Sequence, residues 1–156
     1  MVRERDAMEL AAPDLRWLET EPSGGWLGTV PLWPFDRAEP QNLDVLVGAN
    51  AFTVRIVCGN AYPMVEPEVK SANVEPPIEA FGWTAWHVLP NGNLCLLQDS
   101  AMWDPGGTVA DLVPKISGWY IEYHLMLARK IDAMTQVGIA SNADLDHLIE
   151  ECERTE

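Results

Sequence analysis

Basic charge is scarce in this chain: ten Lys and Arg stand against 24 Asp and Glu, a net charge of −14. The basic residues form no run, which tells against a nucleic-acid binder, since such proteins need a positive footprint on the phosphates. Long apolar runs are missing as well, so no membrane span is expected, and Met1-Val-Arg-Glu-Arg-Asp6 lacks the apolar core of a secretory leader. Only three cysteines are present, Cys58, Cys95 and Cys152, an odd number without close pairs, which argues against a disulfide framework. A cytoplasmic protein with reduced thiols is the expectation. Metal binding has little to work with. His87, His124 and His147 are far apart, and no Cys-x-x-Cys occurs. Gly24-Gly25 and Gly106-Gly107 lack the remaining parts of a phosphate-cradling loop. Internal repeats, low-complexity tracts and heptads are also absent.

What is present suits a globular domain: 47% hydrophobic and 22% charged residues over 156 positions, enough for one core and short for two. Residues 1–156 are expected to form a single domain. Met8, Leu10, Ala11, Leu15 and Leu18 among charges predict a helix over Arg3 to Leu18, broken or restarted at Pro13. After the turn Glu21-Pro-Ser-Gly-Gly25, strands are predicted at Trp26–Trp33, Leu43–Val47 and Phe52–Val57. In the last of these Phe52, Val54 and Ile56 alternate with Thr53, Arg55 and Val57, as a half-buried strand requires. Short connectors favour an antiparallel meander. Tyr62 to Lys70, with prolines at 63 and 67, is predicted to be extended and to lead into an edge strand. Residues 72 to 85 are expected to be irregular.

The strongest periodicity begins at Thr108-Val-Ala-Asp111, which has the spacing of a capping box. Val109, Leu112, Val113, Ile116, Trp119, Tyr120, Tyr123, Leu127, Ile131 and Met134 follow at steps of three and four. They predict one long amphipathic helix, disturbed at Pro114 and ended at Gly138, with its aromatic face in the core. Ser141 is predicted to cap a last helix. Strands and helices segregate along the chain, so the fold class is α+β.

One stretch carries chemistry: His87-Val-Leu-Pro-Asn-Gly-Asn-Leu-Cys-Leu-Leu97, followed by Trp103-Asp-Pro105. Cysteine is a strong nucleophile when a base or polar loop brings out its thiolate. Cys95 has His87 eight residues upstream and an Asn-Gly turn just before it. Two readings stand at this level: a nucleophile, or a small hydrophobe at a buried strand end. A cysteine hydrolase using Cys95 and His87 lacks a readable third group.

Tyr62-Pro, Pro67-Glu-Val69, His87, Gly92-Asn-Leu-Cys-Leu96 and Trp103-Asp-Pro105, in that order, resemble the ubiquitin-conjugating enzyme family over roughly residues 5 to 137. Leu-Cys-Leu with the following Trp, and Gly118-Trp119-Tyr120, resemble its prokaryotic branch, found in antiphage operons. The resemblance implies a ubiquitin-conjugating-enzyme-like fold of N-terminal helix, four-stranded antiparallel meander and C-terminal helices. It implies partners too: a ubiquitin-activating-enzyme-like protein, and a ubiquitin-like modifier or cyclic-oligonucleotide synthase whose C-terminal glycine is carried to an amine of a target protein. No cofactor is implied for this chain, ATP being used by the activating partner.

Under that resemblance Cys95 is the thioester-forming residue. His87 matches the family's His-Pro-Asn only in part, because Pro90-Asn91 follows later, directly before Gly92. Asn91 or Asn93 is then an oxyanion donor on a shorter loop. Alternatively, Asn91-Gly92 is a tight turn that needs those residues for positive φ. His87 is either a base or a residue that orders the loop. Asp99 either orients an incoming lysine or is an exposed loop residue. Tyr62, Pro63, Pro67, Trp103 and Pro105 would clamp the Cys95 loop to the sheet, while Cys58 and Cys152 are inert. A catalytically inactive scaffold on the same fold is the alternative function, favoured by the displaced asparagine.

Overall fold

The computed structural model describes residues 1–19, 21–82 and 84–154. Trp83, within the irregular stretch expected over 72–85, and Thr155 and Glu156 of the expected 1–156 domain lie outside the described residues, as does Thr20. The architecture is α+β: an N-terminal helix, a four-stranded antiparallel sheet and C-terminal helices.

Helix α1 spans Val2–Ala11 and buries Met8. It ends where Pro13 forces the preceding residue out of the helical region, and Ala12 sits at φ −151°. The helix predicted to reach Leu18 therefore stops short, and Leu15–Leu18 is strand β1. Tertiary pairing decides this: β1 lies against β2, Gly25–Thr29, with Trp17 opposite Trp26 and their rings edge to face at 4.8 Å. At the turn between them Gly24 has φ +87°, and a Cβ there would fall 2.0 Å from the Trp17 ring. Only glycine fits.

Leu43–Val47, predicted as a strand, is instead the short helix α2. Its two buried residues are Leu43 and Val47, an i, i+4 pair on one helical face that packs toward α3. The sheet keeps its four strands because β1 supplies the missing one. Strand β3, Thr53–Val57, carries the expected alternation, with Val54 and Ile56 both at 0% exposure. Strand β4, Glu68–Ser71, follows the two-proline segment and turns Val69 inward. The order β1-β2-β3-β4 is a simple meander.

The capping box at Thr108 and Asp111 is present and starts a 3-10 turn, Val109–Leu112, that runs into helix α3, Val113–Leu127. Pro114 does not disturb α3. It sits in the first turn, where its missing N–H has no partner to lose. The helix ends well before Gly138. Arg129 takes a left-handed φ of 56°, its N–H donates to Met126 O at 3.0 Å, and the Lys130 N–H donates to Leu125 O at 2.9 Å. This is a Schellman terminus built on arginine where glycine is usual. Ile131 and Met134 therefore lie beyond the helix, although Met134 is still buried. The last helix, α4, is Asp146–Glu150, later than the start expected at Ser141.

The core lies between α3 and the sheet, and the aromatic face of α3 points into it as expected. Phe52 stacks on Tyr120 at 4.5 Å and Trp119 on Tyr123 at 5.1 Å. Three polar side-chain ends on α3 also hold loops. Trp119 Nε1 donates to Trp86 O at 3.0 Å, Tyr120 OH to Asn50 O at 2.9 Å, and Ser117 Oγ to Pro31 O at 2.6 Å. Among the described residues, no helix is long and apolar enough to cross a membrane.

Candidate functional site

The segment that carries Cys95 is a small hairpin laid along β4. Leu94 N–H donates to Val69 O at 2.8 Å, which extends the sheet edge by one bond. Within the hairpin, Cys95 N–H donates to His87 O and Leu89 N–H to Asn93 O, both at 2.8 Å. Its tip follows from its residues. Gly92 N–H closes the Leu89-Pro90-Asn91-Gly92 turn on Leu89 O at 2.9 Å, and Gly92 itself takes φ +87°. A turn with proline at its second position, followed by a left-handed glycine, is a favoured three-residue hairpin connection. Asn91 is exposed, and its Oδ1 accepts the Asn93 N–H at 3.0 Å, so that oxygen serves the turn.

Of the residues expected to clamp the Cys95 loop, Tyr62, Pro63 and Trp103 come together with one another. Trp103 is buried, its indole N–H donates to Pro63 O at 2.8 Å, and its ring lies 6.2 Å from that of Tyr62. The Tyr62 hydroxyl donates to Glu4, whose other carboxylate oxygen accepts Val109 N–H at 2.9 Å. One side chain of α1 thus ties together the Tyr-Pro loop and the turn leading into α3.

Cys95 is half-buried and sits where grooves meet. One groove, of about 420 Å³, is lined by Gly82, Thr84, His87–Pro90, Leu96–Gln98 and Gln136. A second, of about 350 Å³, is lined by Val65–Glu68, Asn91, Asn93 and Asp99, among others, and shares Leu89 and Leu96–Gln98 with the first. Burial pushes the Cys95 thiol above its ordinary pKa, and Glu66 pushes it the same way. The resting group at neutral pH is therefore the thiol. Cys58 differs sharply. It is 1% exposed, and burial with the nearby Glu4 raises its pKa to about 12. Cys152 is also pushed up by burial, and its Sγ contacts Leu148 O at 3.5 Å.

The structure brings His87 and Cys95 together through the backbone bond and through shared grooves. His87 is half-buried and adopts a left-handed φ of 48°, uncommon for a residue with a Cβ. Desolvation lowers its pKa, partly opposed by Glu122, so its imidazole is neutral near pH 7. A neutral imidazole is able to take a proton from a thiol.

Two groups beyond the expected site enter it. Glu122 on α3 is 3% exposed and accepts from Thr135 N at 2.8 Å, Thr135 Oγ1 at 2.7 Å and Ile139 N at 3.4 Å. It pins residues 135–139 beside His87 and Cys95, which share a narrow crevice with it. A lone carboxylate amid the apolar stripe of α3 was the signal available in the sequence. The second is Glu66, which lines a groove with Cys95 from just ahead of β4, a proximity that has no local sequence signature. Asp99 is exposed, with Oδ1 accepting Ala101 N–H at 2.9 Å. Among the described residues no group of His, Cys, Asp and Glu is placed to hold a metal ion.

Comparison of the chain with protein-family models, with curated proteins and with solved structures gives no match.

Proposed function

We propose that this chain is a ubiquitin-conjugating-like acyl transferase with the corresponding fold, which carries the C-terminal glycine of a modifier as a thioester on Cys95 and passes it to an amine. The observation that carries this reading is the position of Cys95, half-buried at the junction of two grooves. A carrier has to meet two partners at one sulfur, an acyl donor and then an amine, and the grooves offer separate approaches. The backbone bonds that tie the hairpin to itself and to β4 support it, since a loop that must present one atom to other proteins needs a fixed seat.

In the first step the Cys95 proton leaves, the thiolate attacks the carbonyl of the activated thioester, and the thiol of the activating enzyme departs. One C–S bond replaces another, so the step is close to balanced and the protein's main task is alignment. The raised pKa keeps the sulfur protonated until a donor arrives, and His87 takes that proton. Of the two asparagines, Asn93 suits the oxyanion better. Both line the groove with Cys95, but Asn91 is exposed at the turn, whereas Asn93 is largely buried on the hairpin arm two residues from the sulfur. Such a donor contributes roughly 3 kcal/mol to the transition state. The modifier is a ubiquitin-like protein or a cyclic-oligonucleotide synthase, its activation consumes ATP on a ubiquitin-activating-enzyme-like partner, and the setting is cytoplasmic antiphage defence.

A second reading, a scaffold on the same fold that carries no acyl group, is favoured by the low nucleophilicity of a thiol whose pKa is raised. Incubation with the activating enzyme of its own pathway, ATP and the modifier separates the two. Intact-mass measurement should find one adduct that is cleaved by excess thiol and lost in Cys95→Ala. An adduct that survives in Cys95→Ala, or no adduct at all, supports the scaffold.

A further inference from the structure

Among the described residues Glu122, at 3% exposure, is the only acidic side chain that is fully buried. A carboxylate so placed is ordinarily paired with a cation, yet Glu122 forms no ion pair among the described residues. Its partners are the N–H and hydroxyl of Thr135 and, at 3.4 Å, the Ile139 N–H. The first two share Oε1, and an amide oxygen would accept them as well. Holding the 134–139 wall therefore does not by itself call for a charge. The wall leads to His87. Beside Thr135, the Met134 N–H donates to Ala85 O at 2.8 Å, and Trp119, one turn before Glu122 on α3, donates to Trp86 O at 3.0 Å. The two residues just before His87 are thus fastened to α3, one through the wall and one directly. His87 then takes its left-handed φ, and its carbonyl accepts the Cys95 N–H. Glu122, His87 and Cys95 line one narrow crevice together with Lys115, and these four are its titratable side chains. The groove of about 420 Å³ into which His87 and Cys95 also open adds no other.

Resting on the thioester reading above, we infer that Glu122 is a positioning residue for proton transfer from Cys95. Through the 134–139 wall it holds His87 in the crevice beside the sulfur, and its carboxylate steadies the imidazolium that forms there. In the charging step the S–H bond of Cys95 breaks and the proton passes to His87. The thiolate attacks the thioester carbonyl, a new C–S bond forms, and the C–S bond of the donor breaks. The departing thiolate takes the proton back from His87. An imidazolium exists only between these two transfers, and a fixed negative charge facing it in a buried crevice lowers the barrier to its formation. Against the desolvation that lowers the His87 pKa, Glu122 acts to raise it. The carboxylate that adds to burial in opposing ionisation of the Cys95 thiol is a different one, Glu66. Glu122 thus favours the base without penalising the nucleophile.

The test uses the full chain. A fluorescent peptide ending in Gly-Gly, as its mercaptoethanesulfonate thioester, charges Cys95, and the rate is followed from about pH 5 to pH 8 while the His87 ring is titrated by NMR. Glu122→Gln keeps an oxygen for Thr135 and removes the charge. It should slow charging about tenfold and move both the low-pH limb of the rate and the His87 titration to lower pH. Glu122→Asp, which keeps the charge with a shorter reach, should restore the limb but not the full rate. Thr135→Val removes the hydroxyl from Glu122 and leaves the carboxylate, so it should slow charging about threefold with the limb unmoved. That variant carries the test where Glu122→Gln does not fold. An unmoved His87 titration or an unchanged rate in folded Glu122→Gln, or wild-type charging in Thr135→Val, overturns this role while leaving the thioester reading intact. Failure of the wild-type chain to form any adduct on Cys95 overturns both.

Discussion

The layer between α3 and the sheet and the hairpin that carries Cys95 are held by different forces. In the first, Trp26, Phe52, Ile56, Trp119 and Tyr120 are each at most 2% exposed, and aromatic rings stack across the interface. Burial of apolar area sets its stability, and no single hydrogen bond decides it. The hairpin has little core of its own. Backbone bonds at Leu89, Gly92, Leu94 and Cys95 hold it, with an Asn-Gly turn at its tip. Such a seat costs little to disturb, yet it fixes one atom. The contrast teaches that stability and the proposed activity are carried by residues that overlap only slightly.

The sharpest way to break the comparison is to injure each region in turn. Trp119→Ala should cost about 3–5 kcal/mol in urea unfolding, because it opens a cavity among packed rings and frees Trp86 O. Gly92→Ala should cost only about 1–2 kcal/mol, since a Cβ there meets nothing closer than 3.5 Å and the penalty is the left-handed φ alone. Gly92→Ala should nevertheless slow charging of Cys95 more than Trp119→Ala slows it in the fraction that remains folded. Equal effects of the two on charging would show that hairpin and core are not separable.

A middle-sized effect concerns protons in the core layer. His124 lies on α3 against Tyr120 and Tyr123, its Nε2 is buried without a partner, and desolvation lowers its pKa. The folded state therefore resists protonation that the unfolded chain accepts below about 6.5. Above that pH both states are neutral and the group contributes no pH dependence. As pH falls through it, the unfolded state gains protons first and stability drops. The urea midpoint should decline from pH 7 to pH 5, and His124→Phe should flatten that decline. His87, also lowered by desolvation, adds a part that persists in this variant. An unchanged slope in His124→Phe would place the titration elsewhere.

The smallest effect belongs to the hairpin. Iodoacetamide at pH 7 should modify Cys95 more slowly than a cysteine in an unfolded peptide, and Cys58 hardly at all while the protein stays folded. Glu66→Gln should speed Cys95 alkylation about two- to threefold by removing a negative charge that opposes the thiolate. Alkylation of Cys58 at a similar rate would contradict the contrast between the two cysteines.

Legibility in the sequence followed the same division. Strand β3 was readable because Phe52, Val54 and Ile56 alternate with polar residues, and the capping box at Thr108 and Asp111 because its chemistry is local. Leu43–Val47 was not, since five residues dominated by aliphatic side chains satisfy both periods and only packing against α3 chooses between them. The end of α3 was hidden because a Schellman terminus there uses Arg129 in place of the expected glycine. At the site, Cys95 and the Pro90-Asn91-Gly92 turn stood out as turn and thiol chemistry. The difference between Asn91 and Asn93 did not, because only the folded hairpin leaves the first exposed at the turn and the second largely buried.

Local composition and spacing, then, determined the α+β class, the inward face of β3, the aromatic face of α3 and the hairpin turn before Cys95. Each depends on residues within one or two turns of chain. Tertiary structure alone decided that residues 15–18 pair as a strand and that Glu122 pins the wall beside His87. It alone brought Glu66, Glu68 and Asp99 to a groove that Cys95 also lines. Those outcomes join segments far apart in sequence, where the free energy of burial and cross-strand pairing outweighs local preference.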